Sequence, residues 1–338
     1  MIQAKQKLRQ RITLFSALVL LIAAIIWSMT TGEYSMSFSQ IIQTLFGKGS
    51  YADELILIDF RLPRIFITLL AGMALSMSGA ILQSVTKNPL AEPGILGINA
   101  GSGFAIALFI AIGHINADQF IYILPFVSMI GGLLTALFIF VFSYSGEKGL
   151  SPASMVLVGV GISTALSGGA LTIMLTFDRD QSEFIATWFA GNIWGDSWPF
   201  VWVFLPWLLL LVPYLFYKSE TLNILHTNEH TAISLGISLN KTRFLLVCIA
   251  VMLSSAAVSV AGSIGFIGLM GPHIAKSIVG PRHQYFLPIA LIIGALLLIV
   301  SDTIGKVVLQ PTGVPAGVVV AIIGAPYFLY LMYRTRAL

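Results

Sequence analysis

In a chain of 338 residues, hydrophobic types make up 57% and charged types 9%, against roughly 25% charged in soluble domains. An ordinary soluble enzyme and a disordered chain are both excluded. The net charge of +4 has no polar domain to carry a basic stripe, which removes nucleic acid as a partner. The one cysteine, Cys248, sits inside an apolar run and excludes an intrachain disulfide and a cysteine-rich metal site.

A chain dissolved in lipid satisfies its own backbone, as helices or as a closed barrel. Long unbroken apolar runs stand where a barrel would show alternation over about ten positions. The expected fold is therefore all-α, a polytopic membrane protein. Stretches without Asp, Glu, Lys or Arg cover 12–32, 65–86, 93–117, 119–146, 149–177, 197–217, 244–275, 283–301 and 307–333, and about 20 apolar residues cross the hydrocarbon. The stretch 244–275 would be about 48 Å long as one helix. Gly262, Gly265, Gly268 and the Gly271-Pro272 pair favour a break inside it. Folding it back as a second, short helix to about Val279 gives about ten transmembrane helices.

Lys5, Lys7, Arg9 and Arg11 precede the first span and place the N-terminus in the cytoplasm. That span is longer than a signal-peptide core and no A-x-A site follows, so it is expected to be retained. Ten spans put 13 of the Lys and Arg residues inside and 5 outside, with the C-terminus cytoplasmic as well. Nine would leave Lys276, Arg282, Arg334 and Arg336 outside. Trp188, Trp194, Trp198, Trp202 and Trp207 gather at the outer end of the sixth span and read as an interfacial belt. Gly72, Ser76 and Ala80 recur every four residues, as do Gly161, Ala165 and Gly169, a spacing that suits close helix packing.

Four loops carry information. The external one, about 33–64, ends in Arg61-Leu62-Pro63-Arg64. Proline suits a first helical turn, but cations there oppose the macrodipole. An external anionic partner and snorkelling to lipid phosphates both account for them. The cytoplasmic segment 87–97 contains Asn88, Pro89, Glu92, Pro93 and Gly94, and is either a defined turn or a mere connector. The longest cytoplasmic loop, about 218–243, spaces Leu222, Leu225, Ala232 and Leu235 with polar residues, Glu229 among them, and has Gly236 as a stop. Short amphipathic helices there either dock on a soluble partner or rest on headgroups. The broken helix, with Gly265, Gly268, Pro272 and His273, belongs where backbone is buried in protein or lines a cavity, which points to a pathway or a moving part.

No G-x-x-x-x-G-K-[ST] occurs, so ATP is not bound by that route. Leu166-Ser167-Gly168-Gly169 lies within the fifth span and reads as packing. There is no H-E-x-x-H, the five histidines offer no ligand set, and no catalytic carboxylate pair lies in a span. Asp302 and Lys306, at i and i+4 near the outer end of the ninth span, can pair on one helix face. An ion-coupled carrier would show a deeper acid, which disfavours that class.

These segments resemble the permease family of iron–siderophore, haem and cobalamin importers, the FecCD-type subunits of type II ABC importers. The likeness covers nearly the whole chain. Arg61-Leu62-Pro63-Arg64 looks like the family's external R-x-P-R, and residues 88–97 fit its N-P-L-A-[ED]-P-G-[IL]-L-G. Gly265-Phe266-Ile267-Gly268-Leu269 with Pro272-His273 fits its G-F-I-G-L-x-x-P-H, Asp302 lies in a stretch like its L-x-x-D, and Gly324-Ala325-Pro326-Tyr327-Phe328 matches its G-x-P-x-F. Three departures stand out: Lys276 for the usual Arg, Lys306 for a third external Arg of some members, and Thr227-Asn228-Glu229 for L-G-[ED].

The resemblance implies a single cobalamin-importer-like permease domain that transports and does not hydrolyse ATP. A second permease, identical or similar, would share one pathway with it. Two separate ATPase subunits would bring ATP and Mg, with no cofactor or metal held by this chain, and a substrate-binding protein would dock outside. Arg61, Arg64 and Lys306 would meet acids on that binding protein. Leu222, Leu225, Glu229, Ala232, Leu235 and Gly236 would seat in the ATPase. Asn88, Pro89, Glu92, Pro93, Gly94, Gly265, Gly268, Pro272 and His273 would form a structural or gating motif. The implied cargo is a ferric siderophore crossing the bacterial cytoplasmic membrane; the resemblance does not name the chelate, and a hydroxamate type is the expectation. Haem and cobalamin are the alternatives within the family, and an ion-coupled carrier is the alternative outside it.

Overall fold

The computed structural model describes residues 2–32, 34–94, 96–113, 123–145, 149–150, 152–225, 229–309 and 313–336. Thr227, Asn228 and the side chain of Glu229 lie outside what is described. The first helix, α1, is Ile2–Thr30. Two short helices follow, α2 (Phe38–Leu45) and α3 (Tyr51–Glu54). A π-helical segment, Leu55–Arg61, then runs without interruption into α4 (Leu62–Thr86). Next come α5 (Ile98–Gly113) and α6 (Leu124–Ser143). A two-residue antiparallel ladder, β1 (Tyr144–Ser145) on β2 (Gly149–Leu150), links α6 to α7 (Pro152–Met174). Then follow α8 (Arg179–Phe189), α9 (Trp198–Tyr217), α10 (Ser219–Leu225) and α11 (Glu229–Ser234). The chain closes with α12 (Leu239–Ala261), α13 (Ile267–Val279), α14 (His283–Val307) and α15 (Ala316–Arg336).

Among the described residues, eight helices are long and apolar enough to cross a membrane: α1, the rod from Tyr51 to Thr86, α6, α7, α9, α12, α14 and α15. The shorter α5 and α13 complete an all-α bundle of about ten.

The centre of the bundle is α4, buried along nearly its whole length among α12, α13 and α14. Small residues permit this. A Cβ on Gly79 would overlap the Gly268 carbonyl of α13, and one on Gly72 would overlap that of Gly294 in α14. Ser76 and Ser78 donate to the carbonyls of Ala290 and Ala250, each at 2.6 Å. With no hydrophobic drive between helices in lipid, such close contact and cross-helix hydrogen bonds hold the elements together.

Four sequence expectations are corrected. The helix containing Arg61 and Arg64 does not begin there. It begins after Ser50, whose hydroxyl caps it with Asp53, and its first turn holds Asp53 and Glu54, as the macrodipole requires. Pro63 lies inside the rod. An α-helical carbonyl four residues back would meet its ring, and the turn just before it is widened, with Leu62 N–H donating to the Leu57 carbonyl.

The break between α12 and α13 is confined to Gly262–Phe266, so Gly268, Gly271, Pro272 and His273 lie within α13. Trp188 is fully buried and is no belt residue, whereas Trp202 is exposed. In α7 the expected packing stripe is only partly used: Gly169 meets Phe104, but Gly161 faces open space and Ala165 is exposed, as are the neighbouring Gly168, Leu157 and Leu171.

Gly79→Leu would force α4 and α13 apart. Overpacking typically costs about 1–3 kcal/mol, so the variant is expected to melt well below wild type in detergent, whereas an unchanged melting temperature would contradict this seam.

Candidate functional site

The candidate machinery lies along α4, at its middle and at both ends. Near the middle, the α12–α13 break leaves backbone groups that the fold must pair. Ser263 N–H donates to the Trp188 carbonyl at 3.0 Å, and Gly195 N–H to that of Val260 at 3.1 Å. Asn99 Nδ2 donates to the Ile264 carbonyl at 3.4 Å. Phe266 adopts a left-handed conformation at φ 64°, and its N–H donates to Glu92 Oε2 at 2.8 Å. The buried Glu92 thus places a carboxylate at the N-terminus of α13, where the helix dipole favours one.

The segment 87–97 is a built turn rather than a loose connector. Lys87 ends α4 in the left-handed region, and Asn88 Oδ1 accepts from Leu90 N–H at 2.9 Å. Pro93 then packs against Gly268.

Within α13, Pro272 has no N–H to offer the Gly268 carbonyl. Gln83 Nε2 donates to the Gly268 and Leu269 carbonyls instead, at 3.3 Å each. Lys276 Nζ holds Gln83 Oε1 at 3.0 Å and lies 4.8 Å from the Phe286 ring centroid. His273 Nδ1 is 2.6 Å from the Tyr327 hydroxyl on α15, while Gly324 leaves the space that Phe266 fills. The motif residues Glu92, Pro93, Gly268, Pro272 and His273 therefore converge on one joint of α4, α13 and α15. Gln83 has no distinguishing sequence pattern, and its role appears only once Pro272 is seen inside a helix.

At one end of α4, Asp302 on α14 is buried at 2% exposure between two cations. Arg64 Nη2 is 2.9 Å from Oδ1, and Lys306 Nζ is 2.6 Å from Oδ2. Arg61 is apart from this cluster: it donates to the Met29 carbonyl at 2.5 Å and to that of Tyr34. Two of the three cations singled out in the sequence thus share one acid, and the third clamps the chain leaving α1.

At the opposite end, α10 and α11 turn their apolar residues inward. Leu222, Leu225 and Ala232 are buried, whereas Ile233 and Leu235 are exposed at 57% and 62%. Gly236, at φ 80°, ends α11. Asn223 on α10 and His283 at the start of α14 meet here; neither residue stood out in the sequence.

A model of the FecCD transport family matches residues 20–334. The chain is 38% identical over 98% of its length, and 100% of the relative's, to the Iron(3+)-hydroxamate import system permease protein FhuG of Bacillus subtilis. It is also 38% identical to the Iron-uptake system permease protein FeuC of the same organism, covering 97% of this chain and 98% of that one. Among solved structures, an inward-facing conformation of a metal-chelate type ABC transporter aligns with a TM-score of 0.83 and 30% identity, over 95% of this chain and 98% of that one. The chain belongs to the FecCD transport family. It is a multi-pass membrane transport permease.

Arg64→Ala and Lys306→Ala each leave Asp302 one partner, whereas together they leave a buried carboxylate with none, a loss that reaches about 3–5 kcal/mol for a broken buried pair. Denaturation of the single and double variants is expected to show a double loss larger than the sum of the singles. Simple additivity would mean that the cluster does not act as a unit.

Proposed function

We propose that this chain is the permease subunit of an ATP-driven importer carrying a ferric siderophore of hydroxamate type across the bacterial cytoplasmic membrane. The observation that carries the reading is the 38% identity, over essentially both full lengths, to a permease of an iron(3+)-hydroxamate import system. The fold supports it through its similarity to a metal-chelate type ABC transporter. In this reading the iron travels inside its chelate as cargo.

The sequence has no nucleotide-binding P-loop, so energy comes from two copies of a separate ATPase. They seat against α10 and α11 at the cytoplasmic face, where both termini of the chain also lie. Leu222, Leu225 and Ala232 anchor these helices to the permease, while Ile233 and Leu235 supply the apolar surface for the partner. The substrate-binding protein docks at the Arg61 end. Arg64, Lys306 and Asp302 together keep one net positive charge, and Arg61 adds another. Exposed ion pairs are each worth only about 0–1 kcal/mol, so these charges steer acidic lobes into register more than they hold them.

A second permease packs alongside, and the exposed small residues of α7 line the path between the two. The ATPase dimer binds the outward and inward states unequally, and that difference lets ATP shift the equilibrium.

Cells lacking other iron–chelate importers, given this permease with its ATPase and binding protein, are expected to take up ferrichrome under iron limitation. Uptake of haem or cobalamin in its place would move the cargo assignment, and transport by the chain alone down an ion gradient would overturn the reading. Arg61→Gln keeps hydrogen-bond donors for Met29 and Tyr34 but removes the charge. It is expected to slow binding-protein association about threefold at low salt with little change in dissociation, as surface plasmon resonance would show.

A further inference from the structure

Where α10 meets the bundle, its attachment is a directional polar bracket as well as an apolar seat. His283, the first residue of α14, is 1% exposed. Its backbone N–H donates to Asn223 Oδ1 at 3.0 Å, and its Nδ1 lies 2.7 Å from the same oxygen. Because Oδ1 can only accept, Nδ1 carries the proton. His283 Nε2 lies 2.7 Å from Ser84 Oγ in the last turn of α4. Asn223 Nδ2 donates to Gln284 Oε1 at 2.7 Å, so both ends of the amide are used. One short helix is thus pinned to α14 and, through one imidazole, to α4.

Three features suit this bracket to carrying movement. Hydrogen bonds weaken steeply with distance and angle, so α10 cannot shift without pulling on His283 or releasing it. A polar cavity of about 240 Å³, lined by Asn223, Arg282, Gln284 and Tyr285, leaves room beside that contact for such a shift. Ser84 is next to Gln83, whose amide supplies the donor that Pro272 withholds from α13. Hydrogen bonds therefore tie α10 through His283 to Ser84 in the last turn of α4, and the adjoining Gln83 ties that same turn to the helix that follows the break, the backbone of α4 joining the two.

We propose that Asn223 and His283 are positioning residues that transmit displacement of α10 into α4 and α13. The inference rests on the reading of α10 as part of the ATPase seat. It assigns the transmission to two side chains and separates it from the apolar contacts that merely hold the ATPase.

The test uses the full complex of permease, ATPase and binding protein in lipid nanodiscs. Hydrogen exchange of the segments 219–225 and 262–279 is followed with and without ATP, Mg and vanadate. In wild type, trapping is expected to change exchange about threefold or more in both segments. In Asn223→Ala and in His283→Phe, the ATPase is expected to stay bound and hydrolyse ATP, and segment 219–225 still responds. Segment 262–279 no longer does, and ferrichrome moved per ATP hydrolysed falls about tenfold. His283→Gln, whose amide can both donate and accept, recovers part of the response.

A wild-type response of 262–279 in both Asn223→Ala and His283→Phe overturns the proposal. So does loss of the bound ATPase in both, which would make the pair a docking element. A wild-type complex that binds no ATPase overturns the importer reading, and this inference with it.

Discussion

The constraint on which this structure depends is that no backbone amide or carbonyl is left unpaired where water cannot reach it. An unbroken helix meets it automatically. The Gly262–Phe266 break does not, and much of the surrounding architecture answers that need. The last turn of α8 supplies the Trp188 carbonyl, the loop after it the Gly195 N–H, α5 supplies Asn99, and the 87–97 turn supplies Glu92. Pro272 repeats the problem inside α13, and Gln83 answers it from α4. Separate parts of the chain thus become committed to one joint because each holds a partner that the joint requires.

The same economy shapes the polar ends of the bundle. A carboxylate as buried as Asp302 is tolerable only when paired, and its two cations come from α4 and from one turn further along α14. Those cations therefore cannot be treated as free docking charges. What they present to a partner is the surplus left after Asp302 is satisfied. Arg61 carries a comparable dual duty, since it clamps the Met29 carbonyl in the last turn of α1 and the Tyr34 carbonyl just beyond it. At the far end, the half-buried Asn223 and the buried His283 satisfy one another, and polar groups with defined partners specify a single arrangement more sharply than apolar contact does.

Burial also separates the faces of the short helices. Leu222, Leu225 and Ala232 looked equivalent to Leu235 in the sequence, as apolar positions in one amphipathic pattern. Three of them seat against the permease itself and only Leu235 faces outward, with Ile233, which the pattern had not singled out. The α7 stripe shows the converse. Gly169 finds a neighbour, but Gly161 and Ala165 are open, so the spacing that permits packing does not say whether a packing partner lies in the same chain.

From the sequence alone, the helical membrane fold and the fold-back to Val279 were legible, and the number of spans approximately so, because they follow from hydropathy, length and the placement of cations, all of which are local or additive along the chain. The motifs around Asn88 and Gly265 were legible as a family likeness. Their meeting was not, since Glu92 reaches Phe266 across 174 positions. Where the helix around Arg61 begins, which cations share Asp302, why Gln83 is a glutamine and what His283 holds were decided only by tertiary structure. Each depends on which distant backbone or side-chain group arrives within about 3 Å, and no periodicity in one dimension carries that information.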